Sequence, residues 1–377
     1  MSSNKVAMMV ASVPSMIGQF NMANIGLLRE LGYKIIVACN YNDRSVWTDE
    51  RVESFVDELD EKGITVCQID FPREPTKINM IRKSYKQLNQ VVKNSKVDLI
   101  HCHTPVASMV ARMVAHKNNI KVIYTAHGFH FYKGAPLKNW IIYYPIEKLC
   151  ARITDVLITI NKEDYDLAKK KMKAKRVEYV PGVGVNVDKI SSTIVDKNKK
   201  REECGVPDDS KWIINVGELS CRKNQEVLIR AIAYFDDCFL TIVGQGKLHQ
   251  YYNQLIAELG LQNRIKLLGF RTDVIELCKA GDIFAFPSLQ EGLPVALMEA
   301  MACELPVVCS DIRGNVDLVD KNGGELFKSG SVEDCQDALS KIMRRDLSII
   351  KDYNFTKIKN DFSIDMVNAH MYNIYKD

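Results

Sequence analysis

The sequence predicts an α/β protein of two Rossmann-like, doubly wound domains facing each other across a cleft. Three observations lead there. At 377 residues the chain exceeds one ordinary core, since domains average roughly 150 residues. Short apolar runs alternate with amphipathic stretches through both halves, the pattern of parallel sheets covered by helices. Residues 186–210, polar and rich in Lys, Asp and Ser, separate the halves and read as a linker with one short helix. The division is therefore 1–186, then 187–361, with a short tail at 362–377.

In the first half, strands are expected at residues 5–12, 34–40, 65–69, 99–102, 122–125 and 156–160. Helices are expected at 20–31, 77–93, 107–117 and 140–151. In the second half, strands are expected at 212–216, 239–243, 265–268, 283–286 and 307–310. Helices there read at 225–235, 248–259, 274–280, 294–301 and 332–343. Sheets wound in this way bind ligands beyond the carboxyl ends of their strands.

Composition narrows the function classes. The chain is 46% apolar and 26% charged, as for a soluble globular protein. No stretch reaches the ~20 apolar residues of a spanning helix. After residues 1–4, the apolar run Val6–Ala11 is only six long, a strand and not a secretory signal. A cytoplasmic location follows. The 11 cysteines form no C-x-x-C pair, and several, such as Cys39, Cys150, Cys303 and Cys309, lie in apolar runs. They read as reduced, buried thiols without zinc-ligand spacing. A net charge of +4 hides an asymmetry: residues 1–176 carry 27 Lys+Arg against 17 Asp+Glu. The densest run is Lys169-Lys-Lys-Met-Lys-Ala-Lys-Arg176, either a solvated helix face or an attraction to anionic headgroups or a phosphorylated acceptor. Nucleic acid is not the expected partner, because the basic stretches lack interleaved aromatics and reading motifs.

Two glutamates eight positions apart occur five times, so that spacing alone means nothing. Only Glu291/Glu299 has a context that makes a site. An apolar strand at 283–286 runs into the loop Pro287-Ser-Leu-Gln-Glu-Gly-Leu293, and Pro294 then opens a helix. Glu291 thus stands beside the amides of Gly292 and Leu293 at a helix mouth, which favours an anion or a sugar hydroxyl. Glu299 lies in the second turn of that helix. A second block, Ile214-Asn-Val-Gly217-Glu-Leu-Ser-Cys-Arg222-Lys223, runs from strand to glycine to a cationic loop.

The stretch Asp282-Ile-Phe-Ala-Phe-Pro-Ser-Leu-Gln-Glu-Gly-Leu-Pro-Val-Ala-Leu-Met-Glu-Ala-Met-Ala-Cys-Glu-Leu-Pro-Val-Val-Cys-Ser310 resembles glycosyltransferase family 4, retaining enzymes of the GT-B fold. The resemblance extends over nearly the whole chain. It implies that the first domain binds the acceptor and the second the nucleotide sugar, and that the tail 362–377 forms a helix returning to the first domain. It implies that Glu291, Gly292, Leu293 and Pro294 hold the donor sugar and that Glu299 holds the ribose. The block at 214–223 looks like the family's strand, glycine and Lys-ending loop, which implies that Lys223, helped by Arg222 beside Gly217, takes the diphosphate without a metal. Glu218 departs from the pattern, since many members carry Arg there. Gly269-Phe-Arg-Thr-Asp-Val274 resembles the base-contact loop, so Phe270 and Arg271 are base-side candidates. In Ala11-Ser-Val-Pro-Ser-Met-Ile-Gly18, Gly18 alone stands where members place a glycine-rich loop, a partial match.

Five of the seven histidines fall within residues 101–130. His101-Cys-His103 ends one strand with both rings on one face, and Thr125-Ala-His127-Gly-Phe-His130 ends the next. No spacing completes a metal site. His127 matches the family histidine beside the donor sugar, while His103 and His130 are acceptor-side candidates or satisfied structural residues. The segment from Phe129 to Ile146 is aromatic, basic and apolar, either core or a membrane-facing surface. It resembles the corresponding part of bacterial members that extend lipid-linked oligosaccharides.

The expected activity is retaining transfer of a hexose or N-acetylhexosamine from a UDP-sugar to a saccharide or polyprenyl-diphosphate-saccharide acceptor, in bacterial surface polysaccharide synthesis. His127, Lys223 and Glu291 carry it, with no cofactor and no metal, at the inner face of the cell membrane as a peripheral protein. The alternatives are a UDP-sugar epimerase on the same scaffold and a non-catalytic nucleotide-sugar-binding subunit. A nicotinamide dehydrogenase is disfavoured, because G-x-G-x-x-G and its acidic ribose partner are absent.

Overall fold

The computed structural model describes residues 5–377; residues 1–4, at the start read above as lacking a signal sequence, lie outside them. The chain divides into two compact units. One runs to Val183 and takes back Val367–Asp377; the other is Gly184–Met366. These divisions fall slightly before 186 and slightly after 361. The stretch 186–210 holds two helices, Val187–Ser192 and Lys197–Cys204, where one was expected.

The first unit contains a seven-stranded sheet. Its strands are β1 (Val6–Val10), β2 (Lys34–Cys39), β3 (Thr65–Gln68), β4 (Leu99–His103), β5 (Lys121–Ala126), β6 (Val156–Thr159) and β7 (Arg176–Tyr179). All pairs are parallel, in the order β3-β2-β1-β4-β5-β6-β7. Such strands are covered on both faces, so their sequences are apolar runs. Alternate residues of β1 feed opposite cores. Met8 and Val10 join Ile36, Ile100 and Tyr124; Ala7 and Met9 join Ile35, Ile123 and Ile158. The last helix, Ile364–Lys376, closes the second of these cores with Val367, Met371, Ile374 and Tyr375, a helical spacing.

The second unit repeats the plan with β8 (Lys211–Val216), β9 (Cys238–Val243), β10 (Ile265–Gly269), β11 (Ile283–Phe286), β12 (Val307–Ser310) and β13 (Gly324–Phe327). The order is β10-β9-β8-β11-β12-β13, again parallel. In each sheet the chain reverses its winding between two central strands, β1/β4 and β8/β11. Loops leaving such a pair diverge and open a crevice. At the first reversal, Ser12 donates its amide to Thr104 Oγ1 at 3.0 Å, and the two hydroxyls lie 2.8 Å apart.

Several elements differ from the sequence reading. The expected helix at 20–31 is two, Pro14–Phe20 and Met22–Glu30, parted at Asn21. Helices Asp49–Glu61, Lys162–Lys171 and Leu347–Asp361 were not expected. All three start on side-chain caps: Thr48 accepts from the Arg51 amide, Asn161 from the Asp164 amide and Asp346 from the Ser348 amide. The run Lys169–Lys171 forms the last turn of its helix, where cations suit the dipole. The edge strands β7 and β13 are short and carry charged residues, so no apolar run announces them. Among the described residues no helix is long and apolar enough to cross a membrane.

Candidate active site

In the second unit the two loops at the β8/β11 reversal converge on one carboxylate. The Leu289 amide donates to the Arg222 carbonyl at 2.8 Å, lacing the loops together. Lys223 Nζ then donates to Glu291 Oε1 at 2.7 Å, and Arg222 Nη1 reaches the same oxygen at 3.2 Å. Lys223 and Glu291 therefore form a direct ion pair within one unit. The pair is nearly dry: the two side chains are 13% and 9% exposed. Burial lowers the Lys223 pKa below its ordinary value, and the Glu291 charge opposes that shift. Arg222 is 46% exposed and well hydrated.

The glycines explain how the lysine gets there. A Cβ on Gly217 would stand 3.3 Å from the Lys223 stem, so the bare backbone lets that stem pass. Its ammonium ends 4.6 Å from the centre of the Phe286 ring. Gly244 has φ +145, and a Cβ there would lie 2.0 Å from the Gly217 carbonyl. Gly314, at φ +83, would meet the Gly292 carbonyl at 2.4 Å. Two glycines thus let neighbouring loops press against the site's own backbone.

Pro294 is the N-cap and Val295 the first helical residue, one position later than expected. The amides of Gly292 and Leu293 donate to no protein acceptor among the described residues. Arg313, 6% exposed, donates from Nε to the Glu291 carbonyl at 3.2 Å and fixes the loop from beneath. Sequence reading missed Arg313 and Gly314, which follow a strand with no flanking motif. Glu299 lies in the second turn, and burial raises its pKa. It makes no side-chain hydrogen bond among the described residues. Glu218 turns its side chain to solvent while its carbonyl accepts from Gln225 at 3.0 Å.

Two base-side candidates fare differently. Phe270 is 72% exposed, free to meet a planar ligand. The guanidinium of Arg271 is engaged by Asp273 and Glu203, so the expectation of an available base contact is corrected: it braces its own loop. Gly18 also departs from its expected loop. It sits inside the helix Pro14–Phe20, and a Cβ there would lie 2.5 Å from the Trp47 ring. Its small size serves packing.

In the first unit, β4 and β5 end in a stack of histidines. The rings of His101 and His103 have centroids 4.2 Å apart, and those of His103 and His127 5.3 Å. His101 uses both nitrogens, Nδ1 at 2.7 Å from the Tyr375 hydroxyl and Nε2 at 2.8 Å from Thr125 Oγ1. His103 Nδ1 lies 3.1 Å from His127 Nε2. His103 is 0% exposed, so it touches no acceptor, and that expectation is corrected. His127 is half-buried. Burial pushes its pKa to about 4 and that of His101 to about 3, with the field of His127 adding to the latter. Thr125 and Tyr375 carried no sequence signal, because a threonine at a strand end is commonplace and the tyrosine lies more than 200 positions away. Among the described residues no group of three His, Cys, Asp or Glu side chains is placed to hold a metal ion.

The aromatic segment splits. Phe129 and Phe131 are core residues, stacked at 4.7 Å, and Trp140 and Tyr144 pack against them. His130 stacks on Tyr143 at 4.4 Å. The helix Leu137–Ala151 keeps Leu137, Ile141, Pro145 and Leu149 exposed at four-residue spacing. It is tied down by the buried pair Arg112–Glu147, 2.9 Å apart.

Two family models match this chain. One, described as Glycosyl transferases group 1, matches residues 196–357; the other, Glycosyl transferase 4-like, matches residues 25–161. EpsD of Bacillus subtilis, named as a glycosyltransferase, is 33% identical over 82% of this chain and 80% of its own length. An Escherichia coli protein named UDP-Gal:alpha-D-GlcNAc-diphosphoundecaprenol alpha-1,3-galactosyltransferase is 30% identical over 75% of this chain and 76% of its own. Among solved structures, Anabaena HepE in complex with UDP superposes with a TM-score of 0.79 at 19% identity, over 99% of each chain. That last likeness speaks for the fold.

Proposed function

Because this chain belongs to the group 1, family 4-like glycosyl transferases and has the GT-B fold, we propose that it is a retaining transferase acting on a UDP-sugar. It moves a hexose or N-acetylhexosamine to a saccharide acceptor linked to a polyprenyl diphosphate, in bacterial surface polysaccharide synthesis. The observation that carries this reading is the Lys223–Glu291–Arg222 cluster beside the unpaired amides of Gly292 and Leu293. Cations and amides collected at a sheet's winding reversal suit a diphosphate. Lys223 and Arg222 take the charge that grows on the departing diphosphate, a task that needs no metal. Glu291 accepts from sugar hydroxyls, Glu299 from the ribose, and His127 bonds a sugar oxygen. The named activity of the Escherichia coli relative, galactosyl transfer to a diphosphoundecaprenol-linked sugar, supports the acceptor class.

Incubation with UDP-glucose, UDP-galactose, UDP-GlcNAc and UDP-GalNAc, with and without an undecaprenyl-diphosphate-linked sugar, tests the reading by mass spectrometry. Acceptor-dependent transfer, insensitive to EDTA and retaining by proton NMR, supports it. A changed sugar without acceptor identifies an epimerase, and binding without turnover a non-catalytic subunit.

The proposal extends to the inner membrane face. Leu137, Ile141 and Leu149 are 73%, 65% and 62% exposed along one helix stripe, flanked by Lys138 and Lys148. Aliphatic anchors with lysines at their edge fit an anionic lipid surface. Co-sedimentation with phosphatidylglycerol vesicles is expected for the wild type and lost in Leu137→Glu/Ile141→Glu. Equal pelleting of both proteins would overturn this part.

A further inference from the structure

Within the histidine stack of the first unit one buried ring nitrogen is left over: Nε2 of His103 has no hydrogen-bond partner among the described residues. Its other nitrogen, Nδ1, lies 3.1 Å from Nε2 of His127. One of these two atoms carries the shared proton. If His127 donated, His103 would hold its own proton on Nε2, and that N–H would be buried without an acceptor. Stranding a buried donor costs about 1–3 kcal/mol, and orphaned N–H groups are rarer in folded proteins than under-used acceptors. If His103 donates, only a lone pair is left bare. His101 cannot relieve the orphan, because Tyr375 and Thr125 occupy both of its nitrogens.

We propose that His103 is a positioning residue: it donates from Nδ1 to Nε2 of His127 and holds His127 as the tautomer protonated on Nδ1, so that His127 meets the sugar nucleotide as a hydrogen-bond donor. The outward nitrogen supports this. His127 Nδ1 has no hydrogen-bond partner among the described residues, on a ring that is only half-buried. Burial keeps both rings neutral at pH 7, so one proton per ring is the right count. The consequence is chemical. A nitrogen that already carries a proton can donate to a sugar or phosphate oxygen, but it cannot accept the proton of the acceptor hydroxyl. His127 is thereby excluded as the general base, and that proton leaves by another route. His101, stacked on His103 and pinned by Tyr375 of the last helix, keeps the donating ring in place.

The substrate part of this inference rests on the donor-site reading of His127; the tautomer part does not, and the experiment separates them. Two-bond proton–nitrogen correlation NMR of 15N-histidine-labelled protein at pH 7, with His127 assigned by His127→Asn, reads the tautomer directly. The Nδ1–H form is the less favoured one for a free imidazole in water, so its presence is diagnostic. The expected wild-type result is Nδ1–H. In His103→Leu the unprotonated Nε2 of His127 loses its donor and its nitrogen resonance moves downfield, and in His103→Asn, whose amide can donate from the Nδ1 position, it stays at the wild-type position. An Nε2–H pattern in the wild type overturns the proposal, as does an unchanged Nε2 resonance in His103→Leu. Should His103→Leu not fold, the wild type and His103→Asn spectra decide alone.

Turnover is the second readout, using whichever of the four UDP-sugars supports transfer. His103→Leu lowers kcat about 10–100-fold, the range carried by partners that orient a functional histidine, with donor KM little changed. His103→Asn restores most of it. Tautomers as expected but kcat unchanged would leave the hydrogen bond standing and remove His127 from the donor site.

Discussion

Replacing Glu291 with Gln should destabilise the second unit by about 3 kcal/mol, while Lys223→Met should cost about 1 kcal/mol. The asymmetry follows from where each charge is left. At 2.7 Å and an effective dielectric near 20, the gross attraction is about 6 kcal/mol, most of it offset by desolvation. Glu291→Gln strands the Lys223 ammonium, 13% exposed and already pushed toward neutrality by burial. Removing one partner of a buried pair typically costs about 3–5 kcal/mol, and the residual exposure argues for the low end. Lys223→Met leaves Glu291 with Arg222 at 3.2 Å, a cation that keeps its own water. The methionine also preserves the stem over Gly217 and beside Phe286. The assay is urea unfolding followed by Trp212 emission in a Trp47→Phe/Trp140→Phe background. The chain has three tryptophans, and Trp212 is the fully buried one of the second unit. Equal losses, or a larger loss for Lys223→Met, would refute the reasoning.

Gly244→Ala places a methyl 2.0 Å from the Gly217 carbonyl at φ +145; we expect at least ~3 kcal/mol lost from the second unit and no calorimetric UDP binding, and a stable, binding variant would contradict this. Burial depresses the His101 pKa from 6.5 to about 3, so between those values the unfolded chain binds the extra proton. Its contribution is complete at pH 7 and is lost as pH falls from about 6.5 toward 3, by roughly 5 kcal/mol at most. Urea midpoints of the first unit at pH 7, 5.5 and 4.5 should fall more steeply in the wild type than in His101→Gln; parallel lines would rule this out. Arg112→Leu leaves Glu147 buried and unpaired and should cost about 3–5 kcal/mol. Arg112→Leu/Glu147→Leu should recover at least half of that in thermal unfolding, whereas additive losses would show that the pair itself stabilises.

The central strands were legible because parallel strands buried on both faces must be apolar throughout, as in Ile283–Phe286. The same rule hid β7 and β13, whose edge positions tolerate charge. Glu291 and Lys223 were legible because a helix mouth and a strand-to-cation loop leave local patterns. Their ion pair was not, since it depends on how two loops 68 positions apart meet. Arg271 misled for a similar reason: a loop arginine looks available until the carboxylates of Asp273 and Glu203 are placed beside it. The expectation for His103 at a strand end was reasonable from residue type, but strand ends differ in depth, and this one lies beneath His127.

The first unit is completed by the chain's last helix, and this has a consequence for its birth on the ribosome. Its seven strands are all made by Tyr179, yet Val367, Met371, Ile374 and Tyr375 belong to its core. At about 5–20 residues per second, the intervening 184–366 stretch takes roughly 10–40 s to synthesise. Throughout that interval the apolar floor formed by Ala7, Met9, Ile123 and Ile158 has no cover from that helix, and His101 has no tyrosine. The nascent unit is thus a waiting intermediate, a natural client for a holding chaperone. Ribosomes that stall within the second unit should leave fragments that proteases clear quickly.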